Sequence, residues 1–329
     1  MKITGFATIG TSSITEKFLQ AAKEYPEFRF AAVYSRDLKK AEQFAQSHGA
    51  ERAYDSLDKL AADPELEVVY VASPNYMHHE QVMMLLEAGK NVLCEKSLAS
   101  NHREAEEMFQ LAREKNLVLL EAMRIVFDPG MEIVKKNLEK LGAIRKADFI
   151  YCQYSSRYDS FKEGKNHNIF RRECSAGALM DIGVYSIHTL LNLFGKPDRV
   201  CGFPVMLRGE IDGAGTILAA YPDKVAEVSY SKITDSQLPN EIQGESGVLQ
   251  FWGNINSPEN VKIFFRDGRE EVLYHREMDN PMKYELGHFL KMIHGEEDAE
   301  IHAKRSLDAL ELMDEVRRQC GIVFPADQE

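Results

Sequence analysis

The sequence predicts an α/β protein: an N-terminal doubly wound parallel sheet, then an α+β domain built on a large open, mainly antiparallel sheet. Three observations carry this. Short apolar strand runs alternate strictly with helical stretches through the first third. After about residue 125 the rhythm changes to longer runs that alternate by twos. The length of 329 residues suits two domains, since a single domain holds roughly 100–200.

The first strand runs from Ile3 to Ile9, and further apolar runs follow at 28–34, 68–72, 91–94 and 117–120. Strands this short and uniformly apolar fit a sheet buried on both faces. Between them lie helical stretches at 15–24, 38–48, 79–88 and 102–115. The last has 3.6-residue spacing through Ala105, Met108, Phe109 and Ala112, with Asn101 as its N-cap. Gly49, Gly89 and Asn116 stand where helix C-caps belong. Beyond these, one helix at 131–141 leads into strand runs at 147–154, 200–207, 211–221, 224–232, 241–243, 248–252, 261–265 and 270–274. Turn signals such as Tyr-Pro-Asp and Arg-Asp-Gly join them, which reads as an antiparallel sheet. A helix near 177–194 interrupts these strands, and helices at 283–294 and 303–320 follow.

Composition narrows the function. Forty Lys and Arg against 52 Asp and Glu give a formal charge of −12, which excludes long-range attraction for nucleic acid or anionic lipid. No apolar run approaches the roughly 18 residues of a membrane helix, and the opening residues lack a signal-peptide core. Five scattered cysteines without a C-x-x-C pair argue against a disulfide framework or a zinc site, and no metal is expected. The expected location is the reducing cytoplasm.

The first strand turns into a helix through Gly10-Thr11-Ser12-Ser13-Ile14-Thr15. A dinucleotide fingerprint asks for three glycines there, and only Gly10 supplies one; Ser12 and Thr15 occupy the second and third positions. Both are small, and the amides of the helix start can still bind phosphate oxygens. The second strand ends in Ser35-Arg36-Asp37. A hydroxyl followed by a guanidinium suits a 2′-phosphate, so NADP is the expected cofactor, with NAD as the alternative. Arg36 could also simply lie in a solvated loop.

The segments Ala72-Ser73-Pro74-Asn75 with His78-His79, then Gly89-Lys90-Asn91-Val92-Leu93-Cys94-Glu95-Lys96-Ser97, carry a further signal. So does Gly177-Ala178-Leu179-Met180-Asp181-Ile182-Gly183-Val184-Tyr185. Together they resemble the glucose–fructose oxidoreductase/inositol dehydrogenase (Gfo/Idh/MocA) family over essentially the whole chain. Glu95-Lys96-Ser97 departs from the family's Glu-Lys-Pro only at its last position, and Ser175-Ala176-Gly177 keeps one glycine of a usually glycine-rich run. The Asp-Ile-Gly-Val-Tyr stretch is closest to the dihydrodiol dehydrogenase and glucose–fructose oxidoreductase branch.

The resemblance implies an N-terminal Rossmann domain, residues 1–122, that binds NAD(P), with Ser73, Pro74, Asn75, His78, Glu95 and Arg124 joining the glycine turn around the cofactor. Residues 123–329 would form the substrate-binding and dimerisation domain, with the last helices free to pack back on the first. Lys96 would contact the nicotinamide ribose and the reacting oxygen, Asp181 would orient substrate or cofactor, and Tyr185 would exchange the proton. Arg171 would join Asp181 and Tyr185 in binding substrate. An ordinary tyrosine with a pKa of about 10 is a poor base at neutral pH, and a nearby ammonium such as Lys96 favours its phenolate. Asp181 and Tyr185, four apart, would share one helix face. Periodicity alone would make Tyr185 a core aromatic beside Ile182 and Ile187, and Arg171 and Arg124 could be structural ion pairs. The implied activity is hydride transfer between nicotinamide and a hydroxyl or carbonyl of a sugar, cyclitol or dihydrodiol. The implied partners are that small polyhydroxylated substrate and a second copy of the chain, docked through the C-terminal sheet, with no nucleic acid or membrane. The alternative is a non-catalytic NAD(P)-sensing regulator on the same fold.

Overall fold

The computed structural model describes residues 3–328. The chain forms two compact units, one made of the residues through Ala122 with Asp279–Leu307, the other of Met123–Met278 and the residues from Asp308.

The first unit is a parallel sheet of six strands: β1 (Thr4–Ile9), β2 (Phe28–Tyr34), β3 (Arg52–Tyr54), β4 (Val68–Val71), β5 (Asn91–Glu95) and β6 (Leu119–Ala122), in spatial order β3-β2-β1-β4-β5-β6. The helices between them are α1 (Ser13–Ala22), α2 (Leu38–His48), α3 (Leu57–Ala61), α4 (His78–Glu87) and α5 (His102–Glu114). Register sets Ile9 level with Tyr34 and Val71, Val71 level with Cys94, and Glu95 level with Ala122. The carboxyl ends of the central strands therefore share one edge, and the strand order reverses between β1 and β4, where open α/β sheets bind ligands.

The sheet's core is aromatic. Phe6 stacks on Phe28 with ring centroids 4.0 Å apart, and Phe18 of α1 stacks on Tyr70 at 3.8 Å. Asn101 caps α5 by accepting from the Glu104 amide at 3.0 Å, as its spacing predicts. β3 and α3 escape the sequence reading because three half-buried residues and a five-residue helix are too short to display a period. Helix α9 (Met282–Ile293) belongs to this unit and packs on α1, Tyr25 donating to the Lys283 carbonyl at 2.7 Å. A side chain at Gly287 would stand 2.4 Å from the Tyr25 hydroxyl, so glycine is what lets the helix approach.

The second unit holds an eight-stranded sheet: β7 (Ile144–Cys152), β8 (Arg199–Leu207), β9 (Ile211–Ala220), β10 (Val225–Ser231), β11 (Asn240–Gly244), β12 (Gly247–Trp252), β13 (Asn260–Phe265) and β14 (Glu270–His275). Their order is β14-β13-β12-β11-β7-β10-β9-β8. Its helices are α6 (Pro129–Lys136), α7 (Tyr158–Lys162) and α8 (Val184–Phe194); α10 (Glu300–Cys320) starts in the first unit's part of the chain and continues into the second's, and a short turn of helix at Pro325–Asp327 follows it. One pairing differs from an all-antiparallel sheet: β10 runs parallel to β7. These strands are joined by a long connection containing α8 and the β8–β9 hairpin rather than by a tight turn, so no hairpin geometry reverses them. Helix α8 covers one face over the buried Phe149, Val228 and Tyr230. Among the described residues no helix is long and apolar enough to cross a membrane.

Candidate active site

In the first unit the level strand ends carry the candidate residues. Gly10 has φ +111°, and a Cβ there would lie 2.8 Å from the Ala72 carbonyl oxygen, so this turn requires glycine. Thr11 and Ile14 are half-buried and Ser12 and Ser13 exposed. Ser12 begins α1 in extended conformation without a side-chain cap bond, which leaves its hydroxyl and the first-turn amides facing outward. Thr15, in the third fingerprint position, is fully buried, and its hydroxyl finds no partner among the described residues. The glycine turn, the start of α1 and the exposed Ser12 and Ser13 fit a dinucleotide pyrophosphate.

At the end of β2, Ser35 accepts from the Asp37 amide at 3.3 Å, and the Asp37 carboxylate caps α2 through the Lys40 amide at 3.3 Å. The acid that could have met a ribose is therefore committed to a helix. Arg36 beside it is exposed and forms no hydrogen bond or ion pair with the described residues.

The loops after β4 and β5 are tied together by His78. Its ring is fully buried, with Nε2 2.9 Å from the Ser73 carbonyl and Nδ1 3.0 Å from the Ser97 carbonyl. The expectation that the His78 side chain binds cofactor is corrected here: the ring is fully buried between two backbone carbonyls, and burial lowers its pKa, so the neutral ring donates its single N–H to one of them. It positions its neighbours instead. Ser73 also donates to Gln81 at 2.7 Å, fixing the Ser73-Pro74-Asn75 turn. Glu95 receives the buried Tyr70 hydroxyl at 2.5 Å.

Lys96, half-buried, is the first residue past β5, and its peptide bond to Ser97 is cis. The loop beyond it is held by buried carboxylates: Leu98 donates its amide to Glu121 at 3.0 Å, and Ser100 donates to Glu104 at 2.8 Å. Glu121 accepts also from Ser306 at 2.6 Å. Sequence reasoning missed Glu121, whose signal is an acid inside an otherwise apolar strand.

In the second unit, Tyr185 sits on the first turn of α8, 6% exposed, with its ring 5.7 Å from that of Tyr151. The Arg124 guanidinium lies 5.6 Å from the Tyr185 ring centroid, a cation–π contact. Asp181 lies one turn earlier, in a π-helical stretch, Leu179–Gly183. The expected common α-helical face is thus altered, since the wider turn rotates Asp181 relative to α8, and such π turns gather at functional sites. The Lys232 ammonium meets Asp181 Oδ2 at 2.5 Å. Arg171 is exposed and 3.6 Å from Glu173, beside Phe170, which is buried against Phe161. Lys96 and Tyr185 belong to different units.

Asp212 of β9 explains why the helix starts where it does. Its carboxylate is buried and accepts from the Leu179 amide at 2.7 Å. Gly177 has φ +107°, and a Cβ there would fall 2.1 Å from Asp212 Oδ1, so glycine at this point admits the carboxylate to the helix start. Nothing in the local sequence links Asp212 to Leu179; only the sheet register does.

A doubly wound sheet with a glycine turn at its switch point defines a dinucleotide-binding protein. Residues 4–123 match the model of an oxidoreductase family with an NAD-binding Rossmann fold, and residues 136–250 match a GFO/IDH/MocA C-terminal domain. The chain is 43% identical to scyllo-inositol 2-dehydrogenase (NADP(+)) IolU of Bacillus subtilis, covering 98% of this chain and 99% of that one. It is 30% identical to trans-1,2-dihydrobenzene-1,2-diol dehydrogenase of Xenopus laevis, covering 98% and 99%. A crystal structure of a 3-ketoreductase from Actinomadura kijaniata with NADP and TDP-benzene shares the fold at TM-score 0.85 and 23% identity, covering 97% and 98%. The chain belongs to the Gfo/Idh/MocA oxidoreductase family. It is an NAD(P)-dependent oxidoreductase, and nothing supports a purely sensory role.

Burial pushes the Asp212 carboxyl up to about 6 against the bonds from Ala178 and Leu179 that favour its charge. Between its ordinary value and about 6 the folded chain binds the proton and the unfolded chain does not, so stability falls as pH rises through that window. Thermal melts from about pH 4 to 6.5 should show this decline, on the order of 1–3 kcal/mol. Asp212→Asn should flatten it, and an unchanged slope would refute the assignment.

Proposed function

We propose that this protein is an NADP(H)-dependent dehydrogenase of a polyhydroxylated small molecule, a cyclitol of the scyllo-inositol kind before a dihydrodiol, and that Lys96, Asp181 and Tyr185 are its reacting and orienting residues. The observation that carries the reading is the grouping around one helix start: the Arg124 cation over the Tyr185 ring, with the Asp181–Lys232 ion pair one turn earlier. A phenol poised beside a cation exchanges a proton, and a carboxylate–ammonium pair recognises hydroxyls.

In the oxidative direction the substrate hydroxyl gives its proton to the phenolate oxygen of Tyr185, which becomes the neutral phenol. Lys96 donates a hydrogen bond to the substrate oxygen, lowering the cost of the alkoxide. A bound nicotinamide supplies the hydride acceptor, or the donor in reverse. The substrate carbon thereby passes from alcohol to carbonyl, losing one hydride and one proton. The likeness of 43% to a scyllo-inositol 2-dehydrogenase supports the cyclitol over the dihydrodiol relatives at 30%. The exposed Arg36 beside Ser35 supports NADP. Tyr185→Phe should lower turnover by roughly 10²–10⁴ with NADPH affinity within a fewfold, and Lys96→Met should do the same. Stopped-flow and cofactor titration check both, and near-native turnover in either variant would remove that residue from the chemistry. Arg36→Ala should weaken NADP⁺ about tenfold while leaving NAD⁺ unchanged, as loss of one charge-assisted bond requires; equal losses for both would point to a structural arginine.

The open face of the second unit's sheet supports a homodimer. Phe203 is 59% exposed, Leu218 49% and Val225 52%, on the side away from α8, an apolar run across three neighbouring strands. Sheet faces of this kind associate by two-fold symmetry. Phe203→Glu with Leu218→Asp should halve the mass seen by sedimentation while circular dichroism stays native; an unchanged mass would exclude this face. Five unpaired cysteines are consistent with a cytoplasmic location.

A further inference from the structure

Lys232 follows β10 directly, and its main chain is fixed on both sides. Its amide donates to the Gly213 carbonyl at 2.8 Å, and its own carbonyl accepts from the Ser155 amide at 2.9 Å. The side chain is 11% exposed, against 29% for Asp181, which it meets at 2.5 Å. An ammonium carries three N–H donors, and Asp181 is the single partner this one has among the described residues. Taking a charge this far out of water is costly unless its donors are filled. Asp181 is the more open of the two, and a carboxylate offers about four lone-pair sites to donors.

From this pair we infer that Lys232 determines substrate specificity: with Asp181 it binds two neighbouring hydroxyls of a cyclic polyol, the ammonium donating to one and the carboxylate accepting from the other. The inference rests on the reading that Asp181 and Tyr185 belong to the reacting site. A donor and an acceptor held side by side match a vicinal diol rather than a lone alcohol. Tyr185 already takes one hydroxyl, so the substrate favoured is one with further hydroxyls beyond the reacting carbon and its neighbour. A pocket built to bond a hydroxyl rejects molecules lacking it, because its own polar groups are then left unpaired. The sequence hides this residue: Lys232 ends a strand run and has no motif around it.

The test compares scyllo-inositol with trans-1,2-cyclohexanediol on the NADP⁺-loaded enzyme. The native protein should prefer inositol in kcat/KM by 100-fold or more. Lys232→Gln should cut that preference at least tenfold, mainly through KM for inositol, with the diol nearly unaffected and the NADP⁺ Kd unchanged. Lys232→Arg, which keeps charge and donors, should recover part of the preference. Equal losses on both substrates would make Lys232 a structural partner of Asp181 and overturn the inference, as would no change on either. If Lys232→Gln fails to fold by circular dichroism, Lys232→Arg decides alone: native discrimination or a partial share of it supports the role, and equal loss on both substrates refutes it. Tyr185→Phe separates the two levels: if that variant keeps full turnover, the site reading itself fails, whereas its loss alongside an unchanged Lys232→Gln preference refutes only the specificity role.

Discussion

The second unit's site depends on one buried carboxylate. Asp212 reaches from β9 to the amide of Leu179, and the chain can admit it only because Gly177 has no side chain. Helix starts leave amides without partners, and a carboxylate placed there satisfies them and matches the positive end of the helix. The cost is desolvation, and it is large enough to raise the acid's own pKa. What is gained is direction. The stretch carrying Asp181 and then Tyr185 begins at a point set by the sheet, not by a flexible loop, so the two side chains inherit the rigidity of β9.

The first unit solves a similar problem with different groups. Lys96 lies on a loop, where a long flexible cation would wander. The loop beyond it is gripped by His78 through the Ser97 carbonyl and by Glu121 through the Leu98 amide. The same ring lies against the Ser73 carbonyl after β4, so one buried side chain packs between the loops of two adjacent strands. None of these anchors can face a ligand while doing this. Buried polar groups with every partner filled specify one arrangement of the backbone around them.

This division explains what was legible in the sequence. Strands such as Phe28–Tyr34 and helices such as Leu38–His48 could be read to the residue because hydrophobic period and capping are local. The glycine turn at Gly10 was legible for the same reason. Lys96, Asp181 and Tyr185 were singled out through resemblance to a family, since spacing alone makes Tyr185 a core aromatic, and it is indeed buried. The groups that support them were not legible. Asp212 and Leu179 are 33 residues apart, and Glu121 and Ser306 are 185 apart. Such pairs exist only once β-sheet register and the return of the chain bring them together. His78 was misassigned because a histidine beside a site is identical in sequence whether its ring faces the ligand or the backbone.

Net charge raises a last question, because a chain of −12 must accept a polyanionic dinucleotide. Global repulsion is weak at the relevant range: at physiological ionic strength charges beyond about 8 Å are largely screened. The charge around the proposed cofactor residues is local. Residues 36–40 hold three cations, Arg36, Lys39 and Lys40, against one acid, and that acid, Asp37, caps α2 through the Lys40 amide. The glycine turn adds the positive end of α1, whose first turn carries one acid, Glu16. An acidic chain and an anion site are therefore compatible: Asp37 is spent on the α2 cap, and the Arg36 guanidinium beside it is exposed.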